Sequence, residues 1–274
     1  MSLEDEERTE TEEQAVEVAF FTGLMHTLGL RTGELHSAFA APTDDEAFSP
    51  ESAPPEEVAG WAEKIGDGLG RTLEGLEKRR EDLPEEMRRD ADRLMRLRDE
   101  AQRRARAVAA GGFGAVKTRY HGDYRLEQVL VVGNDFQIKD FEGDAARPLA
   151  ERRRKHSPLR DVAGMLLSLD RAARYALSNL GAERAEQLET LESLAQVWVE
   201  RARRCFLEGY TEGARGAASY PEKEEHVRAL VELFMLEKAL QEIRCELKDR
   251  PDRAGDPIRG LIELLERKTG EGRE

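Results

Sequence analysis

Residues 121–143 read HGDYRLEQVLVVGNDFQIKDFEG. Two short β-prone runs, 128–132 and 136–139, flank Gly133-Asn134-Asp135, a hairpin turn signal. The polar side chains gather at the ends of these runs. Asp123 lies on the loop before them, Gln128 opens the first, Asp140 closes the second, and Glu142 follows two residues later. A third β-prone run, 115–120, leads into the loop after the glycine cluster Gly111-Gly112-Phe113-Gly114.

Outward from this patch the chain reads as helix. The apolar spacing predicts helices over 13–41, with a break near Gly29, and over 55–80, where Trp61, Ile65, Leu69, Leu73 and Leu76 recur at helical intervals. Pro84 interrupts the pattern, and a further helix continues to about residue 110. Residues 42–58 hold four prolines and read as an exposed loop. Downstream, helices are expected over 158–178, 182–214, 221–248 and 256–268, the last opened by Asp256 as N-cap before Pro257. The expected fold class is therefore mainly α with a small β patch (α+β). Residues 1–12 form an acidic, disordered start, and 13–270 form the folded unit.

Composition narrows the function. Hydrophobic residues make up 39%, charged residues 36% and aromatics only 6%, which fits aliphatic helical packing. A net charge of −14 disfavours a nucleic-acid or anionic-membrane binder, since both need a basic surface. Cys205 and Cys245 lie in helical patterns outside any CxxC or Cys/His cluster, so no zinc site is expected, and they read as buried thiols rather than a disulfide. No apolar leader or membrane-length apolar run is present, and a cytoplasmic location is expected.

The oxygen-bearing side chains around the hairpin suit phosphoryl transfer, where positioning and electrostatics supply most of the catalysis. One carboxylate, Asp123, can orient and deprotonate an attacking hydroxyl. An amide oxygen and a carboxylate, Gln128 and Asp140, can hold Mg²⁺, which binds few protein oxygens and keeps water and phosphate as its other ligands. Glu142 can add a second metal contact. The basic run Arg147, Arg152, Arg153, Arg154 and Lys155 can contact phosphate or substrate, or serve as a solvated loop offsetting local acidity. Asp161 can stabilise the first turn of its own helix through the dipole.

The pattern HGDxxxx(N/Q), followed by a hairpin and a hydrophobic-Asp-x-(Asp/Glu) run, resembles the aminoglycoside-phosphotransferase branch of the protein-kinase-like fold. Three longer strings, DFEG, RPLAERR and SPLRDVAGM, look more narrowly like bacterial maltokinases, enzymes associated with trehalose synthase. The likeness extends to Leu30-Arg31-Thr32-Gly33-Glu34-Leu35-His36, to Phe206-Leu207-Glu208-Gly209-Tyr210 and to Leu236-Glu237-Lys238-Ala239. It implies the C-terminal lobe of the kinase-like fold and an ATP- and Mg²⁺-dependent transfer of phosphate to a sugar hydroxyl, with maltose 1-phosphate as the family's product. It makes Asp123 the catalytic base, with His121 anchoring the loop or acting as an acid–base group. Gln128, Asp140 and Glu142 become metal ligands, Arg147, Lys238, Gln241 and Glu242 substrate contacts, and Asp161 a structural brace.

Two departures from that pattern are visible. No strand-rich segment or grip lysine precedes residue 115, so the N-terminal ATP-binding lobe of the family is expected to be absent, and this stretch alone is expected to be inactive. Maltokinases usually read HGDYHLGQ, where this chain has Arg125 and Glu127, and Gln241 and Cys245 stand where tyrosines would line the sugar pocket. The acceptor sugar is left open. The other reading is a non-catalytic kinase-like module that pairs with a trehalose synthase or another partner.

Overall fold

The computed structural model describes residues 3–145, 147–183 and 188–267, with the side chains of 3–19, 181–183 and 188 left out. The helix α1 spans Leu3–Phe39. It therefore takes in most of the stretch expected to be a disordered start. Glutamate is a good helix former, and acidic residues near a helix N-terminus oppose the positive end of the dipole.

The expected break near Gly29 is also missing. Gly29 instead marks a close helix crossing: a methyl group there would sit 2.0 Å from the carbonyl oxygen of Phe206. Phe206 lies on α7 (Leu188–Ala214). The partner helix answers in kind, since a methyl on Gly209 would lie 2.0 Å from the His26 carbonyl oxygen. Gly33 and Gly213 repeat the arrangement one turn on.

The proline-rich 42–58 segment is not all loop. Glu51–Ala53 forms β1, which pairs antiparallel with β2 (Ala115–Lys117) in the register Ser52↔Val116. Such a short strand, exposed at two of its three positions, carries no alternation for a sequence to announce. The helix α2 runs Pro55–Lys78 with proline at its first position. α3 (Glu85–Arg96) and α4 (Arg98–Ala110) replace one expected helix, breaking at Leu97.

The hairpin is present as β3 (Val129–Val132) and β4 (Asp135–Ile138), with Val129 opposite Ile138. It forms a sheet of its own, separate from β1–β2. Beyond it come the short α5 (Leu149–Arg152), α6 (Leu159–Glu183), α8 (Glu224–Asp249) and α9 (Gly255–Glu266). The expected end of the last helix at residue 268, and the expected 182–214 helix at residues 184–187, fall outside the described residues.

The core lies where α6 and α8 cross, flanked by α2, α7 and α9. Leu159, Met165, Leu166 and Leu169 of α6 meet Leu230, Leu233 and Phe234 of α8, and none of these is more than 2% exposed. Each such side chain contributes roughly 1.5–3 kcal/mol through burial. The same two helices bring their polar faces to the loop that carries Asp123. Among the described residues, no helix is long and apolar enough to cross a membrane.

Candidate active site

α6 supplies the floor. A methyl on Gly164 would lie 2.7 Å from the carbonyl oxygen of Tyr124, so the 121–128 loop rests directly on this helix. One turn earlier, the Asp161 carboxylate accepts the backbone N–H of His121 at 2.6 Å and of Gly122 at 2.9 Å. Asp161 is 2% exposed. Its Oδ2 also accepts from His36 Nε2 at 3.2 Å, and His36 Nδ1 lies 3.1 Å from the hydroxyl of Tyr210. Of the two roles open to Asp161, its contacts serve the loop.

α1 supplies a side wall. Thr32 meets the Tyr124 hydroxyl at 2.8 Å, and the guanidinium of Arg31 forks onto Asp135 at 2.8 and 2.9 Å. The upstream motif 30–36 therefore touches both the loop and the hairpin.

His121 is 1% exposed and commits both ring nitrogens. Its Nε2 donates to the carbonyl of Lys139 at 2.7 Å, and its Nδ1 accepts the backbone N–H of Asp123 at 3.3 Å. These bonds tie the Asp123 loop to the start of the Asp140 loop. The geometry suits an anchor and leaves no ring nitrogen for acid–base work. Packing adds a second tie, since a methyl on Gly122 would sit 3.2 Å from Gly143 Cα, and the His121 ring lies 4.9 Å from that of Phe141.

Asp123 projects between two cations, Arg125 at 3.2 Å and Lys238 of α8 at 3.4 Å. Gln128 closes a short 3-10 turn rather than opening a strand, and its carbonyl accepts from Lys139 N–H at 3.0 Å. Its side-chain Oε1 is buried with no hydrogen-bond partner. A buried amide oxygen left unpaired costs about 1–3 kcal/mol, which a bound cation would relieve. Asp140 has φ 62°, a left-handed conformation that aspartate tolerates better than most residues, and its exposed carboxylate lies 3.1 Å from Lys139 Nζ. No three His, Cys, Asp or Glu side chains gather as a metal cluster among the described residues. Gln128, Asp140 and Glu142 would offer one amide oxygen and one or two carboxylates, donors of the kind Mg²⁺ takes alongside water and phosphate. Glu142 is exposed, and its backbone carbonyl accepts from Arg152.

The expected substrate contacts divide. Gln241 bridges Arg147 and Asp144, with 2.5 Å bonds to each, and Arg147 also reaches toward Glu237. Gln241, Arg147, Glu237 and Lys238 line a small pocket with Tyr120, Gly122 and Asp161. Glu242 turns away to Arg171 at 3.5 Å, and burial pushes its carboxyl above the usual range.

Sequence reasoning missed the adjoining cleft of about 730 Å³. Trp61, Lys64, Gly68 and Arg71 face it from α2, and Arg160 and Glu237, themselves ion-paired, line both this cleft and the small pocket. Three- and four-residue spacings put those α2 residues on one face, but nothing in the local pattern tells that this face borders a cleft. Between the Trp61 and Phe234 rings, at 4.2 and 5.3 Å, sits His156. Burial there, reinforced by Arg160, drives its imidazole well below its ordinary pKa of 6.5.

The backbone course matches solved glucosamine kinases. One, in complex with glucosamine, ADP and inorganic phosphate, superposes with a TM-score of 0.68 at 20% identity, over 88% of this chain and 51% of the other. A second crystal form gives the same score and identity over 50% of that chain. The likeness is one of fold, a mostly helical body with two small antiparallel sheets. In sequence, a glucosamine kinase of Streptacidiphilus jiangxiensis is 28% identical over 90 residues, which is 33% of this chain and 19% of that protein. The chain thus spans about half the length of the solved structures it matches. No protein-family profile matches it.

Proposed function

We propose that this chain is the catalytic lobe of an ATP-dependent sugar phosphotransferase. The observation that carries the reading is the unpartnered, buried Oε1 of Gln128 beside the Asp140 loop, on a loop bonded to the one that presents Asp123. Asp123 accepts the proton of the sugar hydroxyl as its oxygen attacks the γ-phosphorus. The bond to the bridging oxygen breaks, and ADP departs. Gln128 and Asp140, with Glu142 as a further candidate, would hold Mg²⁺, which when bound would supply positive charge against the transferring phosphate. Lys238 and Arg125 hold the Asp123 carboxylate in place.

Leu130, Val131 and Val132 on β3 are all exposed next to these ligands. An apolar stripe there suits cover by a nucleotide-holding lobe. On this reading the chain alone transfers little or no phosphate. Maltose, from the motifs, and glucosamine, from the relatives, head the acceptor panel.

A coupled ADP-release assay on the intact two-lobed enzyme, with that panel, tests the proposal. Asp123→Asn is expected to lower turnover by at least about 10²-fold, in line with loss of a positioned base. Unchanged turnover in that variant, or rapid phosphorylation by this chain alone, would count against it.

A non-catalytic module is the second reading. The two cations seated on Asp123 favour it, because a base clamped by Arg125 and Lys238 is less free to accept a proton.

A further inference from the structure

The 730 Å³ cleft is basic, in a chain of net charge −14. Ten lysines and arginines line it against five glutamates. Three of those glutamates are spent on cations already present: Glu57 on Lys117, Glu51 on Lys117 and Lys155, and Glu237 on Arg160. The other two, Glu46 and Glu151, are exposed. Lys64, Arg71, Arg153 and Arg154 enter no ion pair among the described residues. Arg244 is half-buried with only Thr72 and a carbonyl as hydrogen-bond acceptors, and burial, with Arg71 close by, pushes its pKa down. Like charges gathered around one cleft, with half as many carboxylates to match them, raise the energy of the empty cleft and lower it for an anion.

The cleft is also shaped for a small molecule. Its volume falls within the range of ligand pockets. Tyr120, with the edge of Trp61, gives it an aromatic patch of the kind sugar rings pack against. Through Tyr120, Arg147, Arg160 and Glu237 it runs into the small pocket beside Lys238 and Gly122, next to Asp123.

We propose that the cleft binds an anionic sugar, a hexose carrying a carboxylate or a phosphate, with its charge held by Lys64, Arg71 and Arg244 and a hydroxyl directed toward Asp123. This inference rests on the phosphotransfer reading for the direction of the hydroxyl, and on the charge and shape of the cleft for the anion.

Calorimetric titration of this chain with glucose, glucuronate, glucose 6-phosphate and inorganic phosphate tests it. At low salt, one of the two charged sugars is expected to bind at least about tenfold more tightly than glucose, as one or two charge-assisted contacts would give. Which of them does so distinguishes a carboxylate from a phosphate. High salt should close the gap. The exposed double variant Lys64→Gln/Arg71→Gln should bring the charged sugar down to the affinity of glucose with an unchanged melting temperature. Glucose binding as tightly as both charged sugars would overturn the inference, as would a charged-sugar affinity indifferent to the double variant. Inorganic phosphate binding as tightly as the sugar phosphate would show an anion site without sugar recognition, and would overturn it too. The readout is binding, so it is separable from catalysis. A charged sugar that binds here but is never phosphorylated by the intact enzyme speaks against the phosphotransfer reading, whereas phosphorylation confined to neutral sugars that bind equally well speaks against this inference alone.

Discussion

A single carboxylate organises the site. Asp161 satisfies two loop amides and one imidazole from a position almost closed to water. Replacing it with alanine strands all three donors, so Asp161→Ala is expected to destabilise the chain by about 3 kcal/mol, read by chemical denaturation. A loss under about 1 kcal/mol would mean that water replaces the carboxylate easily.

His156 sets a pH dependence. Its folded pKa is depressed below 6.5, so the folded state binds fewer protons than the unfolded state as the solution is acidified. The stability this contributes is complete above the unfolded value and is lost as pH falls from there through the folded value. One proton gives a slope of about 1.4 kcal/mol per pH unit in that window. His156→Phe should remove that slope from denaturation curves collected between about pH 6.5 and 5.5, whatever it does to stability at neutral pH.

At this scale the sequence proposes which residues matter and is silent on how they are held. The spacing from Asp123 to Asp140 selects the oxygen donors, because they bracket a hairpin whose turn is written in Gly133-Asn134-Asp135. That His121 uses both nitrogens, and that Glu242 turns to Arg171, depends on contacts between neighbouring loops and between two helices that the fold brings together. No local pattern encodes those.

Elements were legible where apolar periodicity was long, as in α2, α6 and α8, and illegible where the backbone itself made the contact. Gly29 looked like a helix breaker because glycine weakens isolated helices. In the fold its missing side chain is what lets α1 approach α7. Gly29→Ala is therefore expected to cost at least about 2–3 kcal/mol, since an added methyl meets a carbonyl that neither helix can move. Gly60→Ala on α2 has nothing within 4 Å of the new methyl and should stabilise by about 0.5–1 kcal/mol. Thermal denaturation of the pair is decisive, and equal effects would contradict the crossing. The β1–β2 pairing escaped notice for a different reason. Three residues are too few for an alternating pattern, and the partner strand lies some sixty residues away.

On the scale of the molecule, the sequence pointed to a helical body around a small β patch, and the fold has that form. What composition concealed was the distribution of charge. A total of −14 suggests a uniformly acidic surface, yet the basic side chains of α2 and of the 147–155 run converge on one cleft because the fold lays those segments side by side. The exposed face of β3 gives a prediction of its own. Val131 is 61% exposed, so Val131→Lys should change the stability of this chain by no more than about 0.5 kcal/mol. In a two-lobed enzyme the same change should raise KM for the nucleotide, and steady-state kinetics with ATP varied would show it.

The paired glycines of α1 and α7 also limit how the body can move. Two notches one turn apart on each helix interlock like teeth, so sliding either helix along the other would drive a Cβ into main chain. Shear at this junction is blocked. Any opening of the site must leave the two helices travelling as one lever, with bending confined to segments outside them, such as the irregular stretch between Phe39 and Glu51.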